Sequence, residues 1–98
     1  MKVTKIVEAV DFDDAFYVLG SWTNAYRSDD VEYFCAGAFR TKKSAAAYGK
    51  RREENGQPKK FYDWTNPKHR VIQGKEKFLA AAKKVNINVN FDDIYWFE

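Results

Sequence analysis

A β-strand gives way to an α-helix within the stretch Ala38-Phe39-Arg40-Thr41-Lys42-Lys43-Ser44-Ala45-Ala46-Ala47-Tyr48. Thr41 is a favourable N-cap, because its hydroxyl can accept a hydrogen bond from an amide of the first helical turn. The alanine-rich run that follows favours a helix to about Glu54, and Asn55-Gly56 is a typical helix stop. This junction predicts a domain that combines strands with helices.

Two apolar segments before this junction predict strands. Phe16–Trp22 and Val31–Phe39 are rich in aromatic and β-branched residues. The polar stretch between them, Thr23–Asp30, is long for a tight hairpin turn and predicts a loop. A helix over residues 13–27 is the competing interpretation, which the interior Gly20 and the neighbouring β-favouring residues disfavour.

The second half of the chain predicts one more helix and a closing strand. A helix over Lys75–Lys84 places its apolar residues on one side, and Val85–Phe91 then alternates apolar residues with asparagines, a period of two. Phe61–Trp64 predicts a short edge strand, and Asn66-Pro67 predicts a break or a helix start. The asparagines of the alternating segment, read as the exposed side of an edge strand, are Asn86, Asn88 and Asn90.

A nine-residue pattern occurs near both ends of the chain. Val10–Val18 and Val89–Phe97 share four identical positions, and each consists of an apolar run, an Asp-Asp step and an aromatic run. This order is typical of strand–turn–strand structure, because aspartate side chains bond to nearby backbone amides in turns. With a further strand over Val3–Val10, we expect the two copies to be neighbours in one sheet. If the turns met, their four carboxylates could instead hold a hard cation, the less favoured interpretation.

The fold class expected from these segments is α+β, in a single domain over residues 1–98. It is a largely antiparallel β-sheet of about four to five strands, with two helices packed on one face. The charges are segregated: residues 1–35 carry three bases and seven acids, residues 36–85 fourteen bases and four acids, and residues 86–98 three acids and no base. Adjoining acidic ends would give the molecule a basic face and an acidic face, which steer encounter with charged partners.

Little in the sequence supports catalysis or a bound cofactor. Cys35 is the single cysteine and stands in an apolar strand, where burial raises the thiol pKa and suppresses its reactivity. His69 is the single histidine, and its neighbours Lys68 and Arg70 predict a surface residue in a basic loop. No glycine-rich phosphate-binding loop is present. We therefore expect a protein that is not an enzyme and that uses no cofactor and no metal ion.

The candidate contact surface is the basic segment around the first helix. At 100° per residue, Lys43 and Lys50 fall opposite Ala45 and Tyr48, so these two charges need no structural partner. We predict that a partner binds this surface, with Trp64 as the exposed aromatic anchor. The residues predicted to contact it are Lys42, Lys43, Lys50, Arg51, Lys59, Lys60 and Trp64. The competing interpretation is a solvated helix face followed by an aromatic edge.

The function expected from this pattern is non-catalytic docking on a macromolecule, as a protein-binding adaptor or inhibitor of the kind that phages and mobile elements carry. The partner is expected to be a protein or a protein–nucleic acid complex. The alternative is a nucleic-acid-binding module that contacts phosphates and bases through the basic and aromatic segment 40–64. Met1–Lys5 are not followed by an apolar leader, and no apolar run reaches membrane-spanning length. We therefore expect a cytoplasmic protein without membrane contact.

Overall fold

The described part of the chain is α+β, with an antiparallel three-stranded sheet and two helices. In this computed structural model, residues 12–58 and 63–89 are described. The sheet order is β2-β1-β3, so β1 is the central strand. The elements are β1 (Phe16–Asn24), β2 (Arg27–Phe39), α1 (Lys42–Asn55), β3 (Trp64–Gln73) and α2 (Lys75–Lys84).

Both helices form where the sequence predicts them. The backbone N–H of Ser44 donates to Oγ1 of Thr41 at 3.1 Å, which caps the first turn of α1. At the other end, the N–H of Gly56 donates to the carbonyl of Arg52 at 2.8 Å and closes the last turn. Helix α2 has the predicted bounds, Lys75–Lys84. The capping and spacing signals in the sequence are therefore sufficient to locate both helices.

One face of the sheet, called the α1 face, is covered by helix α1. Val18 of β1 and Phe34 of β2 pack there against Ala45 of the helix. Gly49, one turn further along, allows α1 to approach β3 closely, because a methyl group at this position would lie 2.3 Å from Cδ2 of His69. The small inward side of α1, which the sequence predicts, therefore sets a short distance between helix and sheet.

The opposite face of the sheet, called the α2 face, carries a second cluster. The buried ring of Tyr17 stacks on Phe78 of α2, with centroids 4.5 Å apart and planes inclined by 8°. Its hydroxyl donates to the carbonyl of Phe12 at 2.7 Å, so the polar end of this buried ring has a partner. Successive strand residues point to opposite faces, and Val18, next to Tyr17, packs on the α1 face.

The two helices therefore cover opposite faces of the sheet, and the prediction that both pack on one face is wrong. The physical reason lies in β1, where Tyr17, Val18 and Leu19 are buried in succession. A strand that is buried on both faces offers apolar side chains to both, so the sequence shows that each helix has an apolar side but not which sheet face it meets.

Strands β1 and β2 are joined by a two-residue turn, so the prediction of a loop over Thr23–Asp30 is wrong. Only Ala25 and Tyr26 lie between the strands. The buried side chain of Asn24 organises the turn: its Oδ1 accepts the N–H of Tyr26 at 2.8 Å, and its Nδ2 donates to Oδ2 of Asp30 at 3.0 Å. These side-chain bonds stabilise a polar segment as a continuous hairpin.

Strand β3 runs through Asn66-Pro67, where the sequence predicts a break or a helix start. Here the β1–β3 register shifts around Trp22, so that two residues of β3 face one residue of β1. Asn66 has a φ of 51°, in the left-handed region that asparagine tolerates better than most residues. Proline has no N–H to donate to a strand ladder, so it is accepted at bulges and on edge strands, where that hydrogen bond is not required. Asn66-Pro67 therefore forms a β-bulge within strand β3, and the predicted break or helix start is wrong.

Helix α2 ends in a Schellman motif rather than leading into a strand. The N–H of Ile87 donates to the carbonyl of Ala82 at 2.9 Å, and the N–H of Asn86 donates to that of Lys83 at 3.0 Å. Asn86 has a φ of 63° and takes the position that glycine usually holds in this motif. Residues 85–89 form this turn and an irregular segment, so the predicted strand over Val85–Phe91 is wrong in its described part.

Three strands are present in the described residues, where four to five were predicted. The predicted strand Val3–Val10 and most of the second terminal copy lie outside the described residues. In the first copy, residues 12–14 form the expected turn, which contains its Asp-Asp step. Phe12 and Val89 both pack against the cluster on the α2 face. That the two copies are neighbours in one sheet stays a prediction, since Val10 is not among the described residues.

Candidate partner-binding site

The described cations that were expected to bind a partner lie on α1 and are accessible to solvent. Lys42, Lys43, Lys50 and Arg51 are all exposed. Within the described part of the chain, none of them forms an ion pair with a carboxylate. Arg51 also lies 5.9 Å from the ring centroid of Tyr48. These four residues form the α1 surface, which has a net positive charge even with the exposed Glu54 one turn after Lys50.

Arg52, the next residue along, belongs to the core rather than to this surface. Its guanidinium carbon lies 4.7 Å from the ring centroid of Phe34 and 5.8 Å from that of Trp22. Its Nη1 also donates to the hydroxyl of Tyr48 at 2.9 Å. A partly desolvated cation over aromatic rings contributes about 1–2 kcal/mol. The basic run in the sequence therefore divides into exposed charges and one charge, that of Arg52, which packs on aromatic rings.

Trp64 does not have the exposure predicted for an aromatic anchor. Its side chain is only 7% exposed and packs in the α1-face cluster with Trp22 and Phe34. The expectation of an exposed ring at this position is wrong, because Trp64 opens β3 beside the buried Asn24 instead of ending an edge strand. The predicted contacts Lys59 and Lys60 lie outside the described residues.

The exposed rings in the described part of the chain belong to other positions. Tyr26 at the hairpin turn is 74% exposed, and its hydroxyl donates to Oδ2 of Asp63 at 3.1 Å. That bond and the nearby negative charge raise the pKa of the Tyr26 phenol. Tyr33, in the interior of β2, is 41% exposed. The sequence predicts neither ring as a contact, because it does not show which side chains of β2 point to each face of the sheet.

Tyr33 borders a groove of about 250 Å³ on the α2 face. In the strand register Ser21 of β1 lies opposite both Tyr33 and Lys68, and Leu19 lies opposite Arg70. Cross-strand neighbours share a face, so these side chains form two adjacent rows across the sheet. The sequence gives no signal for this groove, because its residues come from three segments whose register only the folded sheet fixes. The described residues that line it include Leu19, Ser21, Tyr33, Lys68, Arg70 and Val85.

His69 lies on β3 beneath α1, so the prediction that it belongs to a basic surface loop is wrong. Its Nδ1 is 2.5 Å from Oε2 of Glu53, and both side chains are about one-fifth exposed, at 21% and 22%. The ring also lies against Gly49. His69 therefore joins α1 to β3, and its neighbours Lys68 and Arg70 point to the other face because strand side chains alternate.

The two side chains best suited to nucleophilic chemistry do not meet. Cys35 packs against the α2-face cluster, whereas His69 lies on the α1 face. Burial raises the pKa of the Cys35 thiol to about 11, so it is protonated and weakly nucleophilic at neutral pH. The described residues contain no group of three or more His, Cys, Asp or Glu side chains placed to hold a metal ion. Neither described helix is both long enough and apolar enough to cross a membrane.

Exposed cations thus lie on opposite sides of the sheet, on two of the surfaces that the described molecule presents. One is the α1 surface, and the other is the α2-face groove with its ring and two cations. Comparison of the chain with protein-family models, with curated proteins and with solved structures found no match. Its function is therefore inferred from these surfaces alone.

Proposed function

We propose that this chain is a non-catalytic binding domain that docks on an acidic surface of a protein partner through the α1 surface. It would act there as an adaptor or an inhibitor. The observation that supports this proposal is the division of α1 into two sides. Ala45 and Gly49 are buried against the sheet, while the four exposed cations have no carboxylate partner among the described residues. Such a field attracts an acidic surface and speeds association with it.

The buried position of Trp64 favours a protein partner over the nucleic-acid alternative for this surface. Single-stranded nucleic acids are held by cations together with aromatic rings that stack on bases. With Trp64 in the core, the described α1 surface has cations but no exposed ring. Lys43 and Lys50 are two helical turns apart, roughly 10 Å along the axis, which suits a set of carboxylates spread over a protein surface.

The test is to neutralise three charges of the α1 surface with Lys43→Gln, Lys50→Gln and Arg51→Gln. The matched control neutralises three exposed charges of α2 with Lys77→Gln, Lys83→Gln and Lys84→Gln. Because all six residues are exposed, each substitution should change the free energy of unfolding by no more than about 0.5 kcal/mol. Each variant is used as bait in a nuclease-treated extract of the cells that express the chain, and association rates are measured with the captured partner.

We expect the α1 variant to lose capture of an acidic protein and to associate with it at least about tenfold more slowly. The α2 variant should behave as the parent chain does. Equal capture and equal association rates for the parent and the α1 variant would rule out this surface. The parent chain is also used as bait in an untreated extract, and if it captures a partner there but not after nuclease treatment, the nucleic-acid alternative is the correct one.

A further inference from the structure

We propose that the α2-face groove binds single-stranded nucleic acid. Tyr33 would stack on a base, and Lys68 and Arg70 would contact phosphates. This site lies on the opposite side of the sheet from the α1 surface, so the proposal goes beyond the docking function and does not depend on it.

The first support is the exposure of the Tyr33 ring. Other described tyrosines of the sheet and of α1 are used by the core: Tyr17 stacks on Phe78, and Tyr48 packs 5.5 Å from Phe39. Tyr33 is 41% exposed in the interior of a strand, where its ring stands beside the groove. Exposed rings on sheet surfaces are sequence-tolerant platforms for unpaired bases, because every base has a π-face.

The second support is the charge around the ring. Lys68 and Arg70 are exposed on the same face as Tyr33, and the described lining residues of the groove include no carboxylate. Of the acidic residues in the neighbouring hairpin, Asp29 is paired with Arg27 at 3.5 Å, and Asp30 accepts a hydrogen bond from Asn24. The described lining of the groove therefore carries positive charge and is complementary to phosphates.

Helix α2 adds to this charge at one end of the groove. Its last turn contains Lys83 and Lys84, and the following residue, Val85, lines the groove. The two lysines offset the partial negative charge of the helix C-terminus. The end of α2 is thus suited to an approaching anion.

The spacing of these groups suits one nucleotide step of an extended strand. Neighbouring strands are about 4.8 Å apart, so the backbones of Tyr33 and Lys68, with Ser21 between them, are roughly 10 Å apart. If a base stacked on the Tyr33 ring, the phosphate of that nucleotide would lie within reach of Lys68 and Arg70. A duplex hides the faces of its bases, and an acidic peptide would leave the ring unused, so single-stranded nucleic acid fits best.

The test measures fluorescence anisotropy of a labelled octathymidylate with the parent chain, the α1 variant described above and four further variants, at a low and a moderate salt concentration. Tyr33→Leu removes the aromatic ring, whereas Tyr33→Phe keeps the ring and removes only its hydroxyl. Tyr26→Leu is the matched control at an exposed tyrosine outside the groove. The fourth variant combines Lys68→Ala with Arg70→Ala. An eight-base-pair duplex and an octaglutamate peptide are the competing probes.

We expect Tyr33→Leu to weaken octathymidylate binding at least about fivefold, and Tyr33→Phe and Tyr26→Leu to stay within about twofold of the parent. Affinity falls as salt rises, and in the double variant the slope of log affinity against log salt should be shallower by about 1.4, because two phosphate contacts are lost. Binding of the duplex should be weaker than that of the single strand.

The proposal is overturned if Tyr33→Leu binds octathymidylate within twofold of the parent, or if octaglutamate binds and octathymidylate does not. It is also overturned if neutralising the α1 surface abolishes oligonucleotide binding while the groove variants do not. If a variant does not fold, amide chemical-shift mapping on the parent decides: shifts centred on Ser21, Tyr33 and Arg70 support the groove, and shifts centred on α1 overturn it. Loss of protein capture by the α1 variant tests the docking function separately.

Discussion

Gly49 shows how a single residue controls the distance between helix and sheet. Its Cα faces the imidazole of His69, which is held in turn by Glu53 on the next turn of the same helix. Helix propensity alone favours alanine over glycine at an interior position by about 1 kcal/mol. Glycine is present here because a methyl group would overlap the imidazole ring rather than the flexible end of a side chain.

We predict that Gly49→Ala destabilises the fold by about 1 kcal/mol, because overlap with the His69 ring outweighs the gain in helix propensity. Urea unfolding monitored by circular dichroism measures the change. The control is the same substitution in a His69→Ala background, where the overlap is absent and Gly49→Ala should stabilise by up to about 1 kcal/mol. An equal effect of Gly49→Ala in both backgrounds would show that the contact with His69 is not what requires glycine.

At the scale of elements, the end of α2 shows that two asparagines which look alike in the sequence can have different structural roles. Asn86 and Asn88 look equivalent in the alternating sequence, and both are exposed. In the structure only Asn86 adopts a left-handed conformation, where it closes the Schellman motif. The distinction depends on backbone geometry at the helix end, which a pattern of apolar and polar residues does not contain.

We predict that Asn86→Ala destabilises the protein by about 1 kcal/mol, since alanine tolerates the left-handed region less well than asparagine. Asn86→Gly should be neutral or slightly stabilising. Asn88→Ala is the matched control and should change the free energy of unfolding by less than about 0.5 kcal/mol. Thermal or urea unfolding gives the three values, and equal losses at both asparagines would instead support the exposed face of a strand.

At the scale of the whole molecule, the described sheet is packed on both of its faces. The α1-face cluster contains Val18, Trp22, Phe34, Ala36, Phe39, Ala45 and Trp64. The α2-face cluster includes the stack of Tyr17 with Phe78, which is fully buried. Among the described residues, the groove beside Tyr33 lies on the same face as the Tyr17–Phe78 stack.

We predict that Phe78→Ala destabilises the protein by about 3–5 kcal/mol, because it removes the large α2 side chain that packs on Tyr17. That is a large part of the stability that a domain of this size usually has. Lys77→Ala, at the exposed neighbouring position, should stay within about 0.5 kcal/mol of the parent. Urea unfolding measures both, and a loss below about 1 kcal/mol for Phe78→Ala would contradict a structural role for α2.

Local chemistry determined much of this protein without tertiary information. The N-cap at Thr41, the stop at Gly56, the bounds of α2 and the strand character of Phe16–Trp22 and Val31–Phe39 all follow from neighbouring residues. The exposure of Lys43 and Lys50 follows from helical periodicity. Such features are readable because capping bonds, propensities and side-chain periodicity act within a few residues.

Only the tertiary structure decided which surfaces the chain presents. In the folded chain the helices cover opposite faces of the sheet, Trp64 is buried and Arg52 packs on aromatic rings. Tyr33 lies on the same face as Lys68 and Arg70, with strand β1 between them. Each outcome depends on strand register, and a shift of one residue would exchange the two faces. Register is fixed by packing between distant segments, by the Asn24 turn and by the Asn66 bulge. The candidate sites therefore depended on contacts between residues far apart in the chain.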